Sequence, residues 1–419
     1  MPTWKPRRGA GGCGVIGWLA AMGVWLGLGL LWWVVSLKLV GARSPPVRKQ
    51  RKQREREQRA SDAIDMRRIS IFKPVGGPLD SDDLRRLRPC LESFAAELDE
   101  DSEMLIGIME TDRASMALVV DEMRAAFPRA QIKLVVHASR EDYPNHKISV
   151  MQSLARHASG ELWFWSDADM EAPPGMVRAL RQDFAVDGTN FVTSPYIVRE
   201  TRSASDVLDQ LFVNVEFYPG TVLLGRLDLI GFGFGSGLLF EAARFKRHVD
   251  WEYLGSSLAD DYHLGRLLGS GRLGGARLAT VPCSGGWGSA LLHYLRWHKT
   301  IRWCRPASYA AQLFVLPSVG TLLSVLCYPV SPLPWLALAG GIVLDCAAAA
   351  AVCHRLGSSL PWRHLPAVAA WSVARGVVWM ACWLPWPIVW RGQKWWSPHP
   401  QTRHEAAALD TNGPPPGAA

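Results

Sequence analysis

An uncharged run from Cys13 to Leu37 limits the fold more than any other feature, because it is long enough to cross a bilayer as one helix. A cleavable secretory leader has a shorter apolar core followed by small residues at a cleavage site. This run is longer and carries Trp32 and Trp33 towards its end. It reads as a retained anchor over residues 13–40, behind a short tail of residues 1–12. Only Lys5, Arg7 and Arg8 precede it, whereas Arg48 to Arg59 (RKQRKQREREQR) follows it, within a basic linker over residues 41–65. By the positive-inside rule the N-terminus lies outside and the following domain in the cytoplasm. The expected location is an integral membrane position, in the inner membrane if the source is a bacterium.

Apolar sequence returns after Arg305, and residues 306–392 read as C-terminal membrane segments. Tyr309 to Val330 and Pro334 to Cys353 are expected spans, joined at Ser331-Pro332. The last stretch, Leu365 to Trp390, carries Arg375 in its middle and Pro385 and Pro387 near its end. That combination argues for an interfacial or broken helix. The tail, residues 393–419, ends in Gly-Pro-Pro-Pro-Gly and is expected to be disordered.

The formal net charge of +8 comes largely from the basic linker, which suits anionic lipid head groups. Nucleic acid is not an expected partner: no basic residues interleave with aromatics and no reading motif is present. The eight cysteines form no CxxC pair and half sit in apolar C-terminal segments, so they read as reduced, buried residues.

Between residues 66 and 305 the pattern alternates strands and helices. Short apolar runs at Ile69–Phe72, Leu105–Met109, Ile132–Val136 and Leu162–Trp165 are separated by amphipathic stretches at Ser81–Leu98, Met116–Phe127 and Lys147–His157. This spacing predicts an α/β domain with a parallel, doubly wound sheet. Ligands in such sheets sit at the carboxyl ends of the strands, where Glu110, Asp112, Asp167 and Asp169 fall.

Three motifs carry chemistry. In LWFWSDADM, Leu162 to Met170, a strand runs directly into Asp167 and Asp169. Two carboxylates in that spacing can hold a divalent cation together with the phosphates of a nucleotide-sugar; a solvated loop is the bland alternative. Asp260-Asp261 opens a helix, either as N-terminal charges or with one of them taking a proton from an attacking hydroxyl. Asp260 is expected to point away from the reaction. His293-Tyr294-Leu295-Arg296-Trp297, with Lys299 and Arg302 behind it, can hold a leaving diphosphate or lie as a basic helix on the membrane.

These elements, in this order and ahead of apolar segments, resemble the ceramide glucosyltransferase family and its bacterial relatives, including the hopanoid-biosynthesis-associated glycosyltransferases. The resemblance spans roughly Ile69 to Pro306. It rests also on Lys73-Pro74 with Gly76, on Asn145-His146-Lys147 and on Ser194-Pro195-Tyr196. It implies a GT-A fold over residues 66–305 and transfer of glucose or N-acetylglucosamine from a UDP-sugar. The acceptor would be the hydroxyl of a ceramide-like lipid, a diacylglycerol or a hopanoid, reached by single inverting displacement. It implies that Asp167 and Asp169 contact the diphosphate and a divalent cation, Mg²⁺ or Mn²⁺, and that Asp261 is the general base. Arg296 and Trp297 would close the site, and Lys147 would approach the nucleotide.

Two departures stand out. Glu110 occupies the place of the family's first Asp, with Asp112 two residues later, so either can take that acidic role. His293 occupies the place of a Gln or Arg four residues ahead of Trp297, and imidazole need not be charged at neutral pH. An inactive relative used for binding and a processive polysaccharide synthase are the competing readings. The charge asymmetry around the anchor makes one direct prediction. Cysteines placed in loops of residues 66–305 should resist a membrane-impermeant thiol reagent in intact cells and react after permeabilisation.

Overall fold

The structure, a computed structural model, describes residues 11–41, 65–77, 79–138, 143–280, 282, 285–390 and 393–397. The basic run from Arg48, the cations ahead of the anchor, Cys283 and the Gly-Pro tail lie outside the described residues. The chain forms two units whose segments alternate along the sequence. One comprises residues 44–199, 220–282 and 386–419, the other residues 1–43, 200–219 and 283–385. The range 66–305, expected as one domain, draws on both units. Residues 200–219 and 283–305 pack with the apolar helices, because their buried polar groups find partners there: Gln210 and Asn214 both donate to Ser358 Oγ.

The first unit is built on β1 (Ile69–Pro74), β2 (Ser102–Met109), β3 (Gln131–His137) and β4 (Leu162–Trp165). These four run parallel in the order β3-β2-β1-β4, joined by helices Ser81–Ala95, Arg113–Ala126 and His146–His157. Further strands are β5 (Met170–Glu171), β6 (Phe191–Thr193), β7 (Tyr196–Val198), β8 (Leu238–Glu241), β9 (Gly271–Leu273) and β10 (Leu278–Thr280). The sheet continues from β4 through β8, β6 and β9, with β8 antiparallel to both its neighbours. It is therefore mixed beyond β4, while β5, β10 and β7 form a small second sheet.

Period-two alternation divides the core into two layers. Ile71, Ile106 and Phe164 face the layer that contains Phe94 and Met176; Phe72, Leu105 and Trp163 face Met151, Phe240 and Phe245. Helix Ser81–Ala95 starts at a reciprocal capping box between Asp80 and Asp83. Helix His146–His157 lies close on β2 because Gly107 has no side chain: a Cβ there would fall 2.5 Å from Val150 Cγ1. That close approach sets the position of Lys147, on the first turn of the helix.

In the second unit, helix Gly11–Gly41 contains an apolar stretch, Ala20–Gly41, long enough to cross a membrane, as is helix Pro332–Arg355. The expected span over Tyr309 to Val330 is built of two helical pieces, Pro306–Val315 and Pro317–Cys327, bent by 68°. Pro317 lacks the N–H that would continue the first piece, and Trp25 Nε1 caps the exposed Leu316 carbonyl at 3.0 Å.

The stretch from Leu365 to Trp390, expected to be interfacial or broken, is helical only to Ala381, and its break lies beyond Arg375. Leu365–Ala381 is one run of 17 residues, and Arg375 is neutralised by the fully buried Asp345 at 2.5 Å. Asp345 also accepts from Trp33 Nε1 at 3.0 Å and Ser372 Oγ at 2.6 Å, so one carboxylate ties together three helices. Beyond Pro385 and Pro387, which forbid further helix, Ile388–Trp390 pairs antiparallel with Gln393–Trp395. The expected disordered tail is thus corrected at its start: Gln393–Trp395 is a strand, held by its partner and by the buried Trp395.

Candidate active site

Strand β4 delivers its two acids as the sequence order requires, but neighbouring segments shape the turn. Ser166 N–H donates to Phe72 O at 3.1 Å, and Asp167 N–H donates to Gly235 O at 3.0 Å. Ser166 Oγ donates to Ser236 O at 2.7 Å. Beneath the turn, Lys73 Nζ donates to Ser166 Oγ at 3.0 Å and to Asp167 O at 2.8 Å. Burial pushes the Lys73 amine down to about 7, against the pull of Cys90, Asp169 and Asp167. Burial and the neighbouring Asp167 raise the Asp169 carboxyl, with Arg86 and Lys73 pulling the other way.

Lys147 Nζ lies 2.8 Å from Asp167 Oδ1 and 3.2 Å from Asp260 Oδ2. Burial alone would lower this amine, but Asp167, Asp260 and Asp261 outweigh it and hold the amine well above its ordinary value. Asn145, fully buried, organises the arrangement. Its Oδ1 accepts from Lys147 N–H at 3.2 Å as a helix N-cap, and its Nδ2 donates to Ser257 O at 3.1 Å and Asp260 Oδ1 at 3.2 Å. Asp260 therefore does not point away from the chemistry; it turns into the cluster because both Lys147 and Asn145 hold it there.

Asp261 sits one residue further along the first turn of helix Asp260–Leu268. Its Oδ2 accepts from Gly235 N–H at 2.6 Å and its Oδ1 from Tyr262 N–H at 2.8 Å. Burial raises its carboxyl to about 6, helped by Asp260 and opposed by Lys147 and the Tyr262 N–H. Such a group is largely ionised at neutral pH yet basic enough to take a proton.

The segment that joins these groups carries a glycine at every second position: Gly231, Gly233, Gly235 and Gly237. A Cβ on Gly235 would fall 2.7 Å from Asp167 Oδ2 and 3.4 Å from Asp261 Oδ2, so the bare backbone passes between the two acids. A Cβ on Gly265 would fall 2.2 Å from Gly233 N, so the helix bearing Asp261 rests directly on this backbone. The alternating glycines were the available sequence signal for this segment. Asn145 and Lys73 were visible only as members of short motifs, with no role attached.

Glu110 is exposed and pairs with Arg113 at 3.2 Å. Asp112 is buried, accepts from Leu79 N–H at 2.9 Å, and sits where a Cβ on Gly77 would be 1.8 Å from its Oδ2. Asp112 thus supports the loop after β1.

His293, Arg296 and Trp297 belong to the other unit, on helix Trp287–Cys304. There His293 Nδ1 lies 3.2 Å from the buried Asp209 Oδ1, and the His293 ring lies 3.9 Å from that of Trp297. Trp297 in turn stacks on Phe212 at 4.5 Å. Glu216 accepts from Tyr294 Oη at 2.6 Å and from Trp371 Nε1 at 2.8 Å, and His298 Nε2 lies 3.0 Å from it. The residues on either side of Arg296 are therefore pinned to the π-helical segment Leu211–Phe217.

No group of three or more His, Cys, Asp or Glu side chains suited to a metal occurs among the described residues. Asp167 and Asp169 offer hard oxygen donors on one turn, which is the set Mg²⁺ or Mn²⁺ uses when substrate phosphates supply the remaining ligands. A separate cavity of about 280 Å³, lined by Asp65, Arg67, Asn190, Glu241 and Arg244 among others, shares no residue with the cluster.

A parallel β3-β2-β1-β4 sheet extended by antiparallel β8, with an Asp-x-Asp turn after β4 and an acid-bearing helix beyond β8, defines a glycosyltransferase of the GT-A class. The chain belongs to glycosyl transferase family 21, which it matches over residues 33–396. No curated protein sequence matches it. Among solved structures it is similar to a mannosyltransferase from Pyrobaculum calidifontis in complex with GDP-mannose and Mn²⁺. That likeness has 16% identity and a TM-score of 0.43, over 86% of this chain and 99% of that one. It is also similar to GalNAc-T7 with UDP, GalNAc and Mn²⁺, at 13% identity and a TM-score of 0.36, over 64% of this chain and 62% of that one.

The packing around Gly235 generates a prediction. Gly235→Ala adds only a methyl group, yet it must displace the Asp167 carboxylate. Since displacements of about 1 Å can cost about 10²-fold in rate, transfer by the purified variant should fall by that order while the protein remains folded by circular dichroism.

Proposed function

We propose that this protein transfers glucose or N-acetylglucosamine from a UDP-sugar to the hydroxyl of a membrane lipid, which is ceramide-like, a diacylglycerol or a hopanoid. The reaction is a single inverting displacement on the cytoplasmic face of the membrane. The observation that carries this reading is the placement of Asp261, a half-buried carboxylate near neutrality, beside the Asp-x-Asp turn. The lipid oxygen attacks the anomeric carbon, its bond to the UDP oxygen breaks, and Asp261 takes the hydroxyl proton. The two N–H groups that Asp261 accepts from hold it in one orientation for that transfer.

Asp167 and Asp169 would hold the divalent cation, which when bound offsets the negative charge growing on the leaving diphosphate. Lys147 contributes a second positive charge beside Asp167, and Asn145 and Asp260 keep that charge in place. Arg296 and Trp297 act on the diphosphate and acceptor, with His293 at the head of their helix turn. Glu110 and Asp112 serve the nucleotide end of the site, Asp112 through the loop after β1. The spans at Ala20–Gly41 and Pro332–Arg355 suit an acceptor dissolved in the bilayer.

The deciding experiment is a panel of UDP-sugars against lipid acceptors with the full chain in nanodiscs. A single β-linked sugar per lipid supports the proposal; polymer formation, or no turnover with any pair, sinks it. Chelation with EDTA should abolish transfer. Asp169→Asn, which removes a charge with little change of shape, should need far more Mn²⁺ to recover activity.

Asp261→Asn should cut the transfer rate by about 10²–10⁴-fold while UDP affinity stays near wild type. Because the Asp261 carboxyl is raised to about 6, it is ionised above that pH and protonated below. Wild-type turnover should therefore fall as the pH drops through about 6, and this limb should disappear in the residual activity of Asp261→Asn.

A further inference from the structure

We propose that Lys73 is a positioning residue for the Asp-x-Asp turn, holding it from below so that Asp167 and Asp169 face the cation and diphosphate. This rests on the function proposed above and adds a residue to its machinery. On β1 the side chains of Ile69, Ile71 and Val75 point into one apolar layer, together with Phe94, Phe164 and Met170. Alternation places Lys73 in the same stripe. An aliphatic residue would fill that position without desolvating an amine, so a lysine there breaks the local rule.

Its surroundings supply no compensating ion pair. Lys73 is fully buried, and among the described residues its amine makes no salt bridge. It lies 3.3 Å from the centre of the Phe94 ring and donates to three oxygens of one turn: Ser166 Oγ, Asp167 O and, at 3.5 Å, Met170 O. The carbonyls of Asp167 and Met170 bracket Asp169, so drawing them inward sets how the backbone between them curves. Ser166 extends the same grip, since its hydroxyl also donates to Ser236 O in the glycine segment that Asp261 leans on. Lys73 therefore reaches both acids of the turn without touching a ligand itself. Partners that orient metal ligands from behind are typically worth about 10–100-fold in metal affinity.

The test uses the full chain in nanodiscs, with Mn²⁺ and UDP as probes. Lys73→Met keeps the length of the side chain and removes the donor. The measurements are Mn²⁺·UDP affinity, the electron paramagnetic resonance spectrum of bound Mn²⁺, KM and kcat for the UDP-sugar, and melting temperature. Mn²⁺·UDP should bind about 10–100-fold more weakly, with an altered Mn²⁺ spectrum and a matching rise in KM, in protein that still melts cooperatively. Lys73→Gln, whose amide still donates, should fall between the two.

Should Lys73→Met not fold, Ser166→Ala removes the turn's side-chain acceptor and should weaken Mn²⁺·UDP in the same direction. Wild-type affinity and spectrum in a folded Lys73→Met, or failing that in Ser166→Ala, overturn the positioning role while leaving the proposed function intact. Failure of the wild-type protein to bind Mn²⁺·UDP overturns both.

Discussion

Two ion pairs from one amine, Lys147 to Asp167 at 2.8 Å and to Asp260 at 3.2 Å, join parts of the chain that approach the carboxyl ends of the strands from different directions. Asp167 follows β4, Asp260 opens a later helix, and Lys147 begins the helix that packs on β2. Without a cation between them, acids this close would disfavour one another's ionised forms. The amine is held charged by the three acids around it, and Asn145 fixes both the amine's helix and Asp260. Asp261 keeps a carboxyl poised near neutrality because burial and the charge of Asp260 raise it while Lys147 pulls the other way. The same balance has a chemical use, since a positive charge set beside Asp167 is also a charge set beside an incoming diphosphate.

The second constraint is steric. Three of the four alternating glycines, Gly233, Gly235 and Gly237, let the loop over residues 231–237 pass where a side chain would collide with the Asp261 carbonyl, with Asp167 or with Phe164. Gly265 allows the helix bearing Asp261 to rest on that backbone at a distance no other residue permits. Distances among the acids are thus determined by backbone contact, which deforms far less than side-chain contact.

In the unit that holds the long apolar helices the organising groups are again carboxylates, used differently. Asp345 is surrounded by Arg375, Ser372 and Trp33, and Glu216 by Tyr294, His298 and Trp371. Buried carboxylates of this kind are costly alone, and they hold helices in register when every oxygen is matched. Glu216 lies in a π-helical turn, a local irregularity frequent at functional sites. Its partners Tyr294 and His298 flank Arg296 on the helix that carries the Arg-Trp pair.

Local pattern and length were enough to establish much of this protein. The apolar anchor, the strand and helix alternation from Ile69 to Trp165, and the Asp-x-Asp at a strand end all follow from signals within a few residues of one another. The C-terminal apolar region was legible as apolar helices, but not its bend at Pro317 or the pairing that makes Arg375 harmless. Asp260 and Asp261 are adjacent and identical in type, so nothing local says that the first is clamped by Lys147 and Asn145 while the second is held by Gly235 and Tyr262. Glu110 and Asp112 were equivalent on charge and separated only when one turned to the surface and the other to the loop after β1. A lysine in an apolar stripe and a glycine between two acids have meaning only through what approaches them from elsewhere in the chain. Those approaches are through-space contacts between segments far apart in sequence, and only the tertiary structure decides them.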